Sequence, residues 1–376
     1  IVRFGESINK YDPVCVKFVG TKLPDPLTLP PSFGYGVTFD PTGTYLVVAH
    51  IDNPYITIYK RSDEDTFTKL PNPSTLPPDY GRGVAFDSTG TYLAVAHAGS
   101  PCITIYKRND DTFTKLSDPY PLPAGNGRGV AFDKTGTYLA VAHGLSPYIT
   151  IYKRNDDTFT KLSDPYPLPP DLADGVAFDS TGTYLAVAHH DSPYITIYKR
   201  NDDDTFTKLP NPSTLPTSNA HGVAFDPTDT YLAVAHGMSP YITIYKRNGD
   251  TFTKLPDPSL PAGNANGVAF DSTGTYLAVV SRINPYITIY KRNGDTFIKL
   301  PAPLTLPTGI GNGVAFDSTG TYLAVAHNGK PYITIYLVSA CLKTNLMSDV
   351  SIAERAGYAK ESGVAGEYKK IVVIFR

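Results

Sequence analysis

Apolar positions along this chain come in short runs separated by short polar breaks, and the breaks leave no room for a helix of useful length. In one stretch, Gly129-Val-Ala-Phe-Asp133 reads as a short apolar strand and Lys134-Thr-Gly-Thr137 as a turn. Asp133 is placed to hydrogen-bond forward into that turn. Tyr138-Leu-Ala-Val-Ala-His143 is a second strand, broken by Gly144-Leu-Ser-Pro147. Tyr148-Ile-Thr-Ile-Tyr-Lys153, rich in β-branched and aromatic residues, is a third. Arg154-Asn-Asp-Asp157 is a polar hairpin turn, Thr158-Phe-Thr-Lys-Leu162 a fourth strand, and a Pro-rich connection follows.

This unit occurs seven times, with copies starting at Gly36, Gly83, Gly129, Gly175, Gly222, Gly267 and Gly313, at spacings of 47, 46, 46, 47, 45 and 46 residues. Four short strands repeated at such a period predict the blades of a β-propeller. The fold class expected is therefore all-β, a seven-bladed propeller over residues 14–338. The pattern Gly-Val-Ala-Phe-Asp-x-Thr-Gly-Thr-Tyr-Leu-Ala-Val-Ala resembles the YVTN and WD-repeat class of propellers. The Trp-Asp and Gly-His dipeptides of true WD repeats are missing.

The last copy stops at its third strand, Tyr332-Ile-Thr-Ile-Tyr336, whereas Val16-Lys-Phe-Val-Gly-Thr-Lys-Leu23 and the Pro-rich stretch after it match a fourth strand and its connection. The N-terminal strand should therefore complete the last blade and close the ring without a free edge. Setting Lys153 near Thr158 across the ordinary hairpin gives a register that puts Leu337 opposite Val19. If both strands continue without a bulge, it also puts Cys341 opposite Cys15. Directly opposed strand positions make tight disulfide geometry, so two neighbouring unbonded thiols are expected.

Residues 1–13 and 339–376 read as strands and turns of a split small β-module. The segments Gly5-Glu-Ser-Ile8, Tyr11-Asp-Pro-Val14 and Gly357-Tyr-Ala-Lys-Glu-Ser-Gly-Val-Ala-Gly-Glu-Tyr368 resemble the small β-barrel modules of tailed-phage virion proteins, notably capsid decoration proteins. That resemblance implies attachment to a virion capsid or tail protein and a place on the virion surface.

Composition narrows the picture only a little. A net charge of −2 and a pI near 6.5 give no electrostatic reason to expect nucleic acid as a partner. No apolar run approaches the roughly 18 residues of a membrane-spanning helix. The opening Ile1-Val-Arg-Phe-Gly5 is not a signal peptide, and an Ile start is consistent with residues upstream. Three cysteines, Cys15, Cys102 and Cys341, are no disulfide framework, and Cys102 stands where other copies carry Tyr.

Differences between copies fall in two connections. One residue before each Gly-Val are Tyr35, Arg82, Arg128, Asp174, His221, Asn266 and Asn312. After the second strand come Ile51-Asp-Asn53, Ala98-Gly-Ser100, Gly144-Leu-Ser146, His190-Asp-Ser192, Gly237-Met-Ser239, Arg282-Ile-Asn284 and Asn328-Gly-Lys330. Alternating strand direction brings both connections to one face, so a binding surface is expected there. The first set should ring the mouth of the central channel, with Arg82 and Arg128 adjacent and Asp174 next.

His50, His97, His143, His189, His236 and His327 end their second strands, where copy six has Ser281. Symmetry keeps each on its own blade, so a structural role bonded to nearby loops is expected, with no metal and no cofactor. No nucleophile elbow, His-Glu-x-x-His, phosphate-binding Gly loop or Cys-x-x-Cys occurs, so no catalytic residue is assigned and no enzyme is expected.

The favoured reading is a non-catalytic phage virion surface protein whose propeller shows its variable face to a host-surface protein or glycan. The absence of Trp weighs against a glycan and leaves Tyr35 and Tyr80 as the aromatic candidates. Two alternatives stand beside it: a YVTN-like surface or scaffold protein, at the bacterial cell surface or secreted, that binds another protein, and an enzyme in the channel mouth. Homo-oligomerisation stays open.

Overall fold

A computed structural model of the chain describes residues 20–338. Every regular element among them is a strand, and the strands form seven four-stranded sheets with antiparallel neighbours. The sheets are the blades of a propeller, numbered 1 to 7 from the one that begins at Gly34. Blade 3 runs Gly127–Phe132, Tyr138–His143, Ile149–Asn155 and Thr158–Lys161 from the channel outward. Residues 14–19 of the expected propeller, the split β-module and the Cys15–Cys341 pair lie outside the described residues.

The period of two along each strand sorts side chains between neighbouring blades. In the second strand of blade 2, Tyr92 and Ala94 face Leu139, Val141 and Tyr152 of blade 3, while Leu93 and Val95 face Tyr45 and Val47 of blade 1. One side of each strand is thus hollowed by Ala, and the other carries the Leu and Val that fill the next hollow. Seven such cores hold the ring, including one between blades 7 and 1. Each third strand also buries a Tyr whose hydroxyl pins the Pro-rich connection upstream; Tyr152 donates to the Pro121 carbonyl at 2.8 Å and Tyr106 to that of Thr75 at 2.9 Å.

The Asp-x-Thr-Gly-Thr turn works as the sequence predicts. Asp133 accepts hydrogen bonds from the Thr135 hydroxyl at 2.5 Å and from the Tyr138 amide at 2.7 Å, while Gly136 takes a φ of 69°.

The last blade joins Gly311–Phe316, Tyr322–His327 and Ile333–Leu337 to the N-terminal Thr21–Lys22. Its register differs from the expectation: Leu337 faces Thr21, not Val19. The cause is visible in the ordinary hairpin, where Lys153 faces Thr160 and Asn155 faces Thr158. Arg154 and Asn155 belong to the strand, so the turn is two residues long and not four. The inner strand likewise begins two residues before Gly129, at Gly127, because it contains a bulge.

Candidate functional site

That bulge builds the site. In every blade the register shifts between the small residue that opens the inner strand and the Gly two positions on, as between Ala173 and Gly175. The extra residue is always the variable one: Tyr35, Arg82, Arg128, Asp174, His221, Asn266 or Asn312. A bulge re-aims the side chain it carries, and here it does so once per blade around the channel. The Gly that follows is required by the neighbour. A Cβ on Gly129 would lie 2.5 Å from the Asp174 carbonyl oxygen, and one on Gly36 would lie 2.4 Å from that of Arg82. Most of the bulge residues line a cavity of about 230 Å³ at the channel mouth.

The second set of variable residues is stitched to the first. The loop after the second strand bonds the connection entering its own blade, as in His190 N to Leu172 O at 3.2 Å and Gly237 N to Asn219 O at 3.1 Å. Both connections therefore share one face. Exposed apolar side chains occupy the middle of that loop on three blades: Leu145, Met238 and Ile283.

The bulge residues divide into two arcs. Asn266 and Asn312 spend their amides on backbone, donating to Gly311 O and Gly34 O at 2.9 Å each. Arg282 in turn donates to the Asn266 side chain at 3.0 Å. The other arc makes side-chain contacts. The Arg82 guanidinium lies 5.1 Å from the Tyr80 ring and 5.9 Å from the Tyr35 ring, and its Nε is buried without a hydrogen-bond partner.

Arg128 donates to Asp174 Oδ1 at 2.5 Å. The other carboxylate oxygen, Oδ2, lies 2.8 Å from His190 Nε2 and 2.9 Å from His221 Nδ1. The Asn219 amide sits 3.2 Å from His221 Nε2, and the two imidazoles meet edge to face at 5.4 Å. Burial pushes the Asp174 carboxyl up. Hydrogen bonds from His190 and His221 and the charge of Arg128 outweigh that, and hold it well below the usual carboxylate range. The mouth is therefore not a simple pair of arginines beside an aspartate, because Arg128 is committed to Asp174 and Arg82 stacks on tyrosines.

The six strand-ending histidines lie elsewhere. Each is fully buried, and each meets a Thr of its own third strand through Nε2, at 2.9 Å in His97–Thr104 and 3.0 Å in His50–Thr57. The common partner is thus a strand residue. Loop groups meet Nδ1 only in particular blades, such as Asp52 O at 2.8 Å from His50. In blade 6 Ser281 turns to Ile283 O at 3.1 Å instead, and the hydroxyl of Thr288 is left buried without a partner. In the sequence His190 is one of the variable loop residues, not a member of the set at the channel mouth. It belongs to a loop that differs on every blade, and only the fold shows that it reaches the neighbouring bulges.

A family model described as Lactonase, 7-bladed beta-propeller, matches residues 34–118, the span of blades 1 and 2. No curated protein matches the chain. Among solved structures, hydrazine synthase of Kuenenia stuttgartiensis superposes with a TM-score of 0.64 at 16% identity, over 84% of this chain and 98% of that one. At that identity the likeness is one of fold, and the chain is similar to seven-bladed propellers of the lactonase type across its first two blades.

Proposed function

We propose that this protein is a recognition propeller that holds a polar group of a partner at the channel mouth of its variable face. The observation that supports it is the placement of the bulges. Apart from Gly-for-Ala exchanges and Thr38, the inner strands differ only at the bulge residue. The rest of that strand is fixed by packing, and the position left free to vary is the one that a bulge aims at the channel. The exposed Leu145, Met238 and Ile283 add apolar contacts on the same face, as interaction surfaces require.

In its fuller form, the terminal segments attach the protein to a virion capsid or tail protein, and the face meets a host-surface protein or glycan. The resemblance of the termini to phage decoration modules supports the attachment. Binding to host cells and to a glycan array, compared between the parent and an Arg82→Ala, Arg128→Ala double variant, tests the site. Equal binding by both proteins removes it from consideration. Antibody labelling of purified virions tests the attachment separately.

A second reading is favoured by the family match over residues 34–118. In it the channel mouth hydrolyses a lactone, with His221 acting as base on water and Asp174 orienting it. Acid release from a panel of lactones, followed by pH-stat, checks this. No turnover in the parent, or equal turnover in His221→Ala, would count against it.

A further inference from the structure

We propose that Asp174, His190 and His221 form a binding site for a divalent transition-metal ion, with zinc the simplest occupant, on the rim of the channel. The three donor atoms are a carboxylate oxygen and two imidazole nitrogens, and all lie within 4.8 Å of one another. Two imidazoles and one carboxylate are a donor set for zinc, cobalt, nickel or iron rather than for calcium or magnesium, which take oxygen ligands.

The spacing fits. Donors at about 2.0–2.1 Å from an ion stand about 2.9 Å apart when they subtend a right angle and about 3.3 Å apart in a tetrahedron. The two observed separations from Asp174 Oδ2 are 2.8 and 2.9 Å. Both separations from Asp174 Oδ2 suit a common ion, and the two imidazole nitrogens, within 4.8 Å of each other, would settle at about 3.3 Å in a tetrahedral site.

The donors are held by framework rather than by free loop. Asp174 and His221 are bulge residues on the inner strands of adjacent blades, Ala173–Phe178 and Ala220–Phe225. His190 directly follows the second strand of blade 4, and its amide is bonded to Leu172 O. Groups behind the donors complete the arrangement. Arg128 occupies Oδ1 and leaves Oδ2 for the ion, and Asn219 meets the far nitrogen of His221. Such outer partners fix the orientation of metal ligands.

In the ion-free structure His190 Nε2 and His221 Nδ1 share Asp174 Oδ2. An ion needs a free lone pair on both nitrogens, so any proton they carry moves by exchange with water to the ring's other nitrogen or to solvent, and the Asn219 amide presents its oxygen where His221 Nε2 then carries the proton. Three protein ligands leave at least one coordination position for water or for a donor of the partner.

The test uses the full chain, stripped with chelator and dialysed. Zinc is titrated against a chromogenic competitor, and cobalt is followed by its visible absorption. The parent should bind a single equivalent of zinc and give a cobalt spectrum. Magnesium and calcium should not compete. His190→Ala and His221→Ala, each shown to be folded by circular dichroism and melting, should weaken zinc at least about 10-fold. The proposal is overturned if the parent binds neither metal. It is overturned equally if the two folded variants bind zinc as tightly as the parent.

Discussion

At the scale of single residues, the strongest chemical commitment in the molecule is six neutral histidines. Burial lowers each of them to about 4, against backbone interactions that raise it. The unfolded chain binds these protons near pH 6.5, so between about 6.5 and 4 it holds more protons than the folded one. Stability is therefore complete above the unfolded value and is lost as pH falls towards 4. A shift of that size corresponds to about 3 kcal/mol for each histidine once pH has passed both values. Part of this from every site together rivals the whole stability of an ordinary domain, about 5–15 kcal/mol. The melting temperature should hold between pH 8 and 7 and fall steeply below pH 6; a flat profile down to pH 5 would contradict the assignment. Blade 6 supplies an internal control. Thr104→Val strands the buried Nε2 of His97 and should cost about 1–3 kcal/mol, as such orphaned groups do. Thr288→Val removes a hydroxyl that already lacks a partner, so chemical denaturation should show it neutral or stabilising. These six histidines were legible in the sequence as a symmetric set, one to a blade, though their Thr partners were not. His190, by contrast, has no counterpart in other copies; it meets Asp174 within blade 4 because the inner-strand bulge turns Asp174 towards the loop after the second strand, and only the neighbouring blade brings His221 to the same carboxylate.

At the scale of elements, the constant hairpin between third and fourth strands is a clasp on the preceding blade. Tyr92 of blade 2 donates its hydroxyl to Asp157 of blade 3 at 2.6 Å, and Lys107 reaches the other oxygen at 2.8 Å. Arg154 of blade 3 lies 4.6 Å from the Tyr92 ring and donates to Gly136 O within its own blade. Hydrogen bonds from Lys107 and then Tyr92 hold the Asp157 carboxyl below its ordinary range. The same contact recurs from Tyr45 to Asp111, Tyr231 to Asp295 and, across the closure, Tyr322 to Asp65. This explains why the Arg that opens this turn and the Asp that ends it recur in all six copies, although blades 1 and 4 carry an extra residue between them. It also explains the register error. The polar run Arg154–Asp157 looks like a four-residue turn, but Arg154 and Asn155 are strand residues whose side chains serve the blade surface. Tyr92→Phe should cost about 1 kcal/mol, the net worth of one hydrogen bond between side chains. Lys107→Met should leave stability unchanged within error, because its ammonium is exposed and screened. Paired urea titrations distinguish the two, and a loss from Lys107→Met as large as that from Tyr92→Phe, or larger, would show that the ion pair shares or carries the clasp.

At the scale of the whole molecule, seven equivalent cores are closed by one unequal joint. Blade number, strand order and the N-terminal origin of the last strand all follow from the sequence, because the repeat is nearly unbroken and its missing piece is found at the other end. The bulge did not follow, since Gly-x-Gly reads equally well as plain strand; it takes the neighbouring carbonyl, pressed against Gly129, to show why the glycine is needed. The joint itself makes a prediction. In six blades the fourth strand is tied to its own sheet by a hairpin and to the next blade by the Pro-rich connection. In blade 7 it has no hairpin, and Thr21–Lys22 is held by pairing with Ile333–Leu337, by the Leu23 amide on Ile335 O at 2.8 Å and by Leu23 packing into the core between blades 7 and 1. The equivalent bond inside blade 3, Leu162 N to Ile151 O, has the same length of 2.8 Å. Proline removes the donor and the apolar side chain alike at either site. After Leu162→Pro the hairpin still presents the strand to its sheet, at the small entropic cost of a short loop. After Leu23→Pro nothing covalent does so, and the ring gains an open edge between blades 7 and 1. Leu23→Pro should therefore lower the melting temperature more than Leu162→Pro and make the segment around Thr21 the first site of limited proteolysis. Equal losses, with no new cleavage near Thr21, would mean that the cores alone close the ring.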